Sequence, residues 1–196
     1  MARFEPLPAI FPGHMAPIIK QGSDGERELV MSSWGFVLLR DGYAPKRVTN
    51  ARDDKLNTKF WRESFEVRRC LVPASSFCEP DGNTPSRWHW FTLKGEEARP
   101  LFSFAGVYRQ WKGPIKRGGA DVDIEVFSFV TSLPNELTKT INPERSPVLL
   151  LGDAEVETWL RGTPKAAFGL IKITDPDRLA IVQSGFDKED FGRPAG

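Results

Sequence analysis

Four side chains in this chain of 196 residues could supply thiol or imidazole chemistry near neutral pH: Cys70, Cys78, His14 and His89. A tetrahedral zinc centre would need all four, and none of them shows ligand-pair spacing, so no metal or other cofactor is expected. A cysteine–histidine dyad would have to draw one partner from each pair. His89 lies between Trp88 and Trp90 on an alternating stretch, the placement of a packed or surface histidine. Cys78 adjoins Glu79, whose charge raises a thiol pKa and so works against activation. Two cysteines eight positions apart do not make a disulfide framework, which points to a reducing compartment. The chain carries no P-loop, dinucleotide fingerprint, HExxH helix or GxSxG elbow. On spacing alone, no residue set defines a reaction.

Charge narrows the field little. Twenty-seven Lys and Arg against 26 Asp and Glu leave a formal charge of +1, so bulk charge does not announce a nucleic-acid ligand. The distribution is less even. Residues 40–69 carry nine basic against five acidic side chains, and residues 121–196 carry eight against thirteen. The first segment could form a basic patch or an ordinary solvated face. No basic-then-apolar leader opens the chain, and no apolar run approaches the length needed to span a bilayer, so the expectation is a soluble, cytoplasmic protein without membrane partners.

These residues must be positioned by many short elements. Seventeen Gly and 16 Pro imply frequent turns and exclude a long helical bundle. Hydrophobic residues at 40% over this length are enough to bury roughly 70% of the unfolded surface without staples. Residues 1–17 read as a Pro-rich extended arm and 187–196 as a frayed tail. Alternation predicts strands at 29–39 (with Gly35 marking a bulge), 87–93, 101–108, 124–131 and 179–183. Residues 70–77, broken by Pro73, read as a bent or edge strand. Helical spacing predicts helices at 57–68, 135–141 and 153–160, the last with Asp153 as N-cap and Gly162 after its end, and Thr163-Pro164 opens another. Residues 111–123 read as a long mobile hairpin loop. The order of elements argues for one α+β domain over residues 1–196, with an antiparallel, barrel-like β core and short flanking helices.

Four blocks then occur in order: Pro8-Ala-Ile-Phe-Pro-Gly-His-Met-Ala-Pro17; Trp34-Gly35 with Val48-Thr-Asn-Ala-Arg52; Arg69-Cys-Leu-Val-Pro-Ala-Ser-Ser-Phe-Cys-Glu79; and Phe104-Ala-Gly-Val107, Val130-Thr131 and Ile141-Asn-Pro-Glu-Arg-Ser-Pro-Val-Leu-Leu150. Together they resemble the SRAP family, the SOS-response-associated peptidases or abasic-site processing proteins. The resemblance spans residues 8–150. It implies covalent capture of abasic sites in single-stranded DNA. In that chemistry the amine of an N-terminal cysteine condenses with the sugar aldehyde and its thiol closes a thiazolidine ring. An α-amine with a pKa of about 7.7–8.0 is partly neutral at pH 7 and can attack a carbonyl.

Carried over by position, the resemblance implies catalytic roles for Asn50, Glu79 and Asn142, and DNA contacts for Arg52, Thr131 and Arg145. It also exposes departures. Residue 2 is Ala2 where the family has its cysteine, Asn142 stands where the family has a histidine, and Ser146 replaces a methionine. Asparagine can hydrogen-bond but cannot shuttle a proton near pH 7. Either a Met-Cys-led segment lies upstream or the chain is a diverged relative that cannot form the ring. Each residue also has a plain structural reading. Asn50 could cap a turn, Arg52 could pair with Asp53 or Asp54, Glu79 could be a solvated residue before a turn, and Arg145 could serve a helix end. Three functions therefore stay open: an abasic-site DNA-processing enzyme, a non-covalent single-stranded-DNA binder or inactive relative, and a protein-interaction module on the same fold. The oligomeric state is left open by the sequence.

Overall fold

The computed structural model describes residues 7–95, 99–190 and 192. The strands are β1 (Met15–Gln21), β2 (Arg27–Trp34), β3 (Phe36–Leu38), β4 (Lys46–Val48), β5 (Asn50–Arg52), β6 (Arg69–Ala74), β7 (Phe77–Pro80), β8 (Trp88–Leu93), β9 (Phe102–Pro114), β10 (Asp121–Ser132), β11 (Ser146–Pro147), β12 (Leu149–Leu150) and β13 (Leu179–Gly185). Three short helices flank them: α1 (Arg62–Val67), α2 (Asp153–Arg161) and α3 (Pro164–Phe168).

Five strands close on themselves in the order β2–β1–β6–β9–β10, because β10 pairs both with β9 and with β2. The α+β, barrel-like architecture expected from the alternation is present. The ladders are antiparallel except at the closure, where β10 meets β2 in parallel through Val126–Ser33 and Phe127–Trp34. β5 extends β10 in parallel, with Asn50 opposite Phe129 and Arg52 opposite Thr131. A second sheet runs β13–β8–β7, and β3 pairs with β4.

Strand alternation divides the core into two clusters. Leu71, Ala105, Val107 and Val126 face one, with Phe65 of α1, Trp159 of α2 and Trp61 just before α1. Cys70, Val72, Phe104 and Phe127 face the other, with Phe77 and Phe91. Gly106 is required where these layers meet: a Cβ there would stand 2.7 Å from Cys70 Sγ and 2.9 Å from Val72 Cγ2. Helix α2 is keyed into the barrel by Trp159, fully buried, whose Nε1 donates to the carbonyls of Cys70 and Gly106 at 3.0 Å each. Buried Arg69 donates to the carbonyls of Phe65, Glu66, Trp159 and Gly162, so one guanidinium closes the C-terminal ends of α1 and α2.

Several sequence expectations need correction. The stretch 111–123 is not a loop: β9 and β10 stay paired out to Pro114–Asp121, leaving only residues 115–120 as the turn. The Pro-rich arm is shorter than 1–17, since Met15–Pro17 already belong to β1; its first six residues lie outside the described ones. The tail expected to fray from 187 is held at Asp190. That residue's backbone N–H donates to Pro8 O (2.9 Å), and its carboxylate receives Ser76 Oγ (2.6 Å) and Arg99 (2.7 and 2.8 Å). Residues 70–77 form two strands, not one bent edge strand: β6 ends at Ala74 and β7 begins at Phe77. β6 is interior, and Pro73 is tolerated there because β1 pairs only with Cys70 and Leu71, leaving no partner for the N–H that proline lacks. The predicted helix at 57–68 starts only at Arg62, and 135–141 contains just a 3₁₀ turn at Thr138–Thr140. Asp153 is inside α2 and Gly152 occupies the N-cap; Gly162 ends the helix in an extended conformation. Thr163 does cap α3, accepting from Ala166 N at 3.2 Å.

Candidate functional site

β5 carries Asn50 and Arg52 as its exposed residues, with Ala51 buried between them. Opposite Arg52 on β10 is Thr131, 2% exposed. β9 leaves β10 after Phe129, and β11 takes the vacated edge, pairing Pro147 with Thr131. That switch brings Arg145, just before β11, onto the same corner. Arg145 donates to the Thr131 carbonyl and to Asp53 Oδ1, and its Nε lies 3.5 Å from Thr131 Oγ1. Arg52 makes two parallel hydrogen bonds to the Asp54 carboxylate, each 2.9 Å. Those bonds hold the Asp54 carboxyl below its ordinary pKa. Four of the six residues singled out by sequence are thus gathered on one corner, and both arginines are paired with carboxylates of the 3₁₀ turn at Asp53–Lys55.

The other two form a pair of their own. Asn142 Nδ2 donates to Glu79 Oε2 at 2.8 Å, while its own Oδ1 accepts from Glu144 N at 3.1 Å. Glu79 is on β7 opposite His89 of β8. It is not a solvated residue before a turn. Burial pushes its carboxyl up to about 7, and the Asn142 hydrogen bond pulls weakly the other way. A carboxyl at that value can both give and take a proton near neutrality. His89 is occupied elsewhere, with Nδ1 2.9 Å from Ser184 Oγ.

The family model for SOS response associated peptidase (SRAP) matches residues 1–183. The chain belongs to that family. Three solved structures share its fold. A protein of Bacteroides thetaiotaomicron is 23% identical, with 87% of this chain and 75% of that one covered, at TM-score 0.66. A protein of Bordetella bronchiseptica is 20% identical over 90% and 85%, at 0.68. A phage-related protein of the same organism is 19% identical over 87% and 78%, at 0.64. Among curated proteins, none matches the chain.

Within this SRAP fold, an aromatic ladder runs through the same core cluster that Ile141 packs against. Trp34 lies 5.4 Å from Phe129, Phe129 is stacked 4.8 Å from Phe104, Phe104 is 6.0 Å from Phe77, and Phe77 is stacked 5.1 Å from Phe91. The Trp34 indole also donates to Thr49 O (3.1 Å), fixing the residue before Asn50. The sequence pattern did not reveal this prop. The Trp-Gly step was the available signal, since Gly35 takes φ +108° and turns the chain away directly after Trp34. Nor did the sequence reveal Asp53 as the partner of Arg145, a contact 92 positions apart that no local pattern encodes.

Cys70 is fully buried and its pKa is raised well above the ordinary value by desolvation; Cys78 is pushed up to about 12 by burial and by Glu79. Neither is a thiolate at neutral pH. Ala2 lies outside the described residues. Among the described residues no group of three or more His, Cys, Asp or Glu could hold a metal ion, and no helix is long and apolar enough to cross a membrane.

Proposed function

We propose that this SRAP-family chain acts on abasic sites in single-stranded DNA. Glu79 is the proton carrier, Asn142 its positioning partner, and Asn50, Arg52, Thr131 and Arg145 the DNA-facing corner. One observation carries the reading: a half-buried carboxyl poised near 7, held by an amide, in a chain with no histidine at that place. In imine formation a neutral amine of the chain adds to the sugar aldehyde to give a carbinolamine. Glu79 in its acid form protonates the departing hydroxyl, which leaves as water, and the carboxylate then takes the N–H proton, restoring the acid. Arginines next to the reacting sugar would hold the flanking phosphates. The state of Cys70 and Cys78 favours an amine over either thiol as nucleophile.

A second reading, non-covalent recognition of single strands, is favoured by the closed Arg52–Asp54 and Arg145–Asp53 pairs. These would open for a phosphate without any bond to the sugar.

The test is a denaturing gel of the chain with single-stranded DNA bearing one abasic site, with and without borohydride. A band trapped only by borohydride is expected, with formation slowed about 10²–10⁴-fold by Glu79→Gln. A stable band without reductant would mean a ring-closing nucleophile and overturn the imine step. Salt-sensitive retention on DNA with no band in either lane would establish the non-covalent reading. No retention at all would overturn both and leave a protein-interaction module.

A further inference from the structure

β4 runs straight into β5, so the strand that presents Asn50 and Arg52 begins at Lys46 and Arg47. Lys46 and Arg52 are at most about 20 Å apart along extended chain. The β3–β4 hairpin is bound side-on to the long β9–β10 hairpin. Arg109 Nη2 of β9 donates to Val37 O at 2.8 Å, and Arg117 Nη2 from the β9–β10 turn donates to Gly42 O at 3.0 Å. Arg47 Nη1 donates to Gly35 O at 2.8 Å. Every one of these acceptors is a neutral carbonyl, so the three guanidinium charges are held in place without being cancelled.

The same face is short of acids. Among the described residues, Arg40, Lys46, Arg47, Arg109, Lys116 and Arg117 make no ion pair. The nearby Asp123 is taken by Lys112 at 2.8 Å, and Glu63 by Arg68 at 2.7 Å; Asp41 and Asp121 are the exposed acids left on the two hairpins. Arg109 is stacked among three rings, 4.5 Å from Phe36, 4.6 Å from Phe60 and 5.6 Å from Trp111, and its buried Nε has no hydrogen-bond partner. Tyr43 stands out from the β3–β4 turn, 76% exposed. Uncancelled cations interleaved with an exposed aromatic ring are what a flexible polyanion with stacking bases requires.

We infer that the paired β3–β4 and β9–β10 hairpins form a second nucleic-acid surface, a rail for the phosphates and a stacked base of the single strand that continues beyond the abasic site. The inference rests on the DNA reading above but places its contacts outside the lesion corner. Binding on the rail depends on strand length and is indifferent to the lesion.

The experiment measures affinity by fluorescence anisotropy for undamaged oligothymidylate of about 5 and about 20 nucleotides, the first near the lower end of the usual footprint of a small single-strand binding fold and the second beyond its upper end. The salt range is about 50–200 mM. The probe protein is the full chain and its variant with Arg40→Ala, Lys46→Ala and Lys116→Ala, all exposed side chains. The expected result is a loss of about tenfold or more on the long strand, little change on the short one, and a salt slope shallower by about 2, as three lost phosphate contacts require. Equal affinities and slopes for the variant and the natural chain on the long strand overturn the rail. Lys116→Glu alone, at the exposed hairpin tip, gives the same direction should the triple variant fold poorly. If the natural chain binds the long strand and the variant does not, yet an abasic site adds nothing, the rail stands and the lesion reading falls.

Discussion

Two sets of arginines in this molecule are housed in opposite ways. At the corner where β5, β10 and β11 meet, Arg52 and Arg145 are each clasped by a carboxylate, Asp54 and Asp53. On the hairpin face, Arg47, Arg109 and Arg117 are fixed by backbone carbonyls. A carboxylate orients a guanidinium and cancels its charge, so any phosphate must first displace it. A carbonyl orients it and leaves the charge to act at a distance, screened only by salt within about 10 Å. On the proposed DNA reading the difference would separate two tasks: the hairpin face would gather a polyanion from solution, while the corner would stay shut until a ligand offers more than the aspartates do.

Glu79 extends the comparison to a carboxyl that makes no ion pair among the described residues, and it carries the largest expected effect on stability. Its carboxyl is raised from 4.5 to about 7, so the folded state keeps a proton that the unfolded chain gives up. The stability this brings is complete below about 4.5 and is lost as pH rises through about 7. Relative to Glu79→Gln, which has nothing to titrate, the natural chain should lose about 3 kcal/mol between those limits. Urea melts of both proteins at half-unit pH steps check it. A difference that does not change with pH would mean that Glu79 is ionised throughout and cannot be the proton carrier.

Much of the corner was legible in the sequence because its signals are compact. Val48-Thr-Asn-Ala-Arg52 is one short stretch running from the end of β4 through β5, and Arg145 directly precedes β11. Both were located by the resemblance of these stretches to the family's motifs, and the barrel was expected from its alternation. What could not be read was how the pieces are charged once assembled. Glu79 looks like a residue before a turn until β7 pairs with β8 and Asn142 arrives from 63 positions away. The stretch 111–123 looked like a loop because Gly113, Pro114, Gly118 and Gly119 dominate its composition. Tertiary pairing of Lys112 with Asp123, and of Trp111 with Ile124, carries the ladder through it. The basic excess of residues 40–69 was visible as a count, but only the fold shows which of those charges are cancelled.

The aspartates give the next effect in size and the sharpest contrast. Asp53→Asn and Asp54→Asn should each tighten binding of single-stranded DNA about three- to tenfold at low salt, since the phosphate no longer competes with a resident anion. Arg52→Ala and Arg145→Ala should weaken it by a similar factor. Anisotropy titrations of the four variants decide the point. Weaker binding by the asparagine variants would mean that the carboxylates hold the arginines in their working orientation and are not a barrier.

Arg109 gives the smallest effect and asks what a carbonyl-held arginine contributes to the fold. Arg109→Met keeps the length of the side chain among Phe36, Phe60 and Trp111 but removes the charge and the bond to Val37 O. A partly buried cation–π stack and one hydrogen bond to a charged donor contribute about 1–2 kcal/mol each, set against the cost of desolvating a guanidinium that burial already disfavours. The net expected loss is therefore about 1 kcal/mol or less in urea, with a salt slope for long single strands shallower by about 0.7. A loss of several kcal/mol with an unchanged slope would make Arg109 a structural clamp, and the rail would then rest on the exposed charges around it.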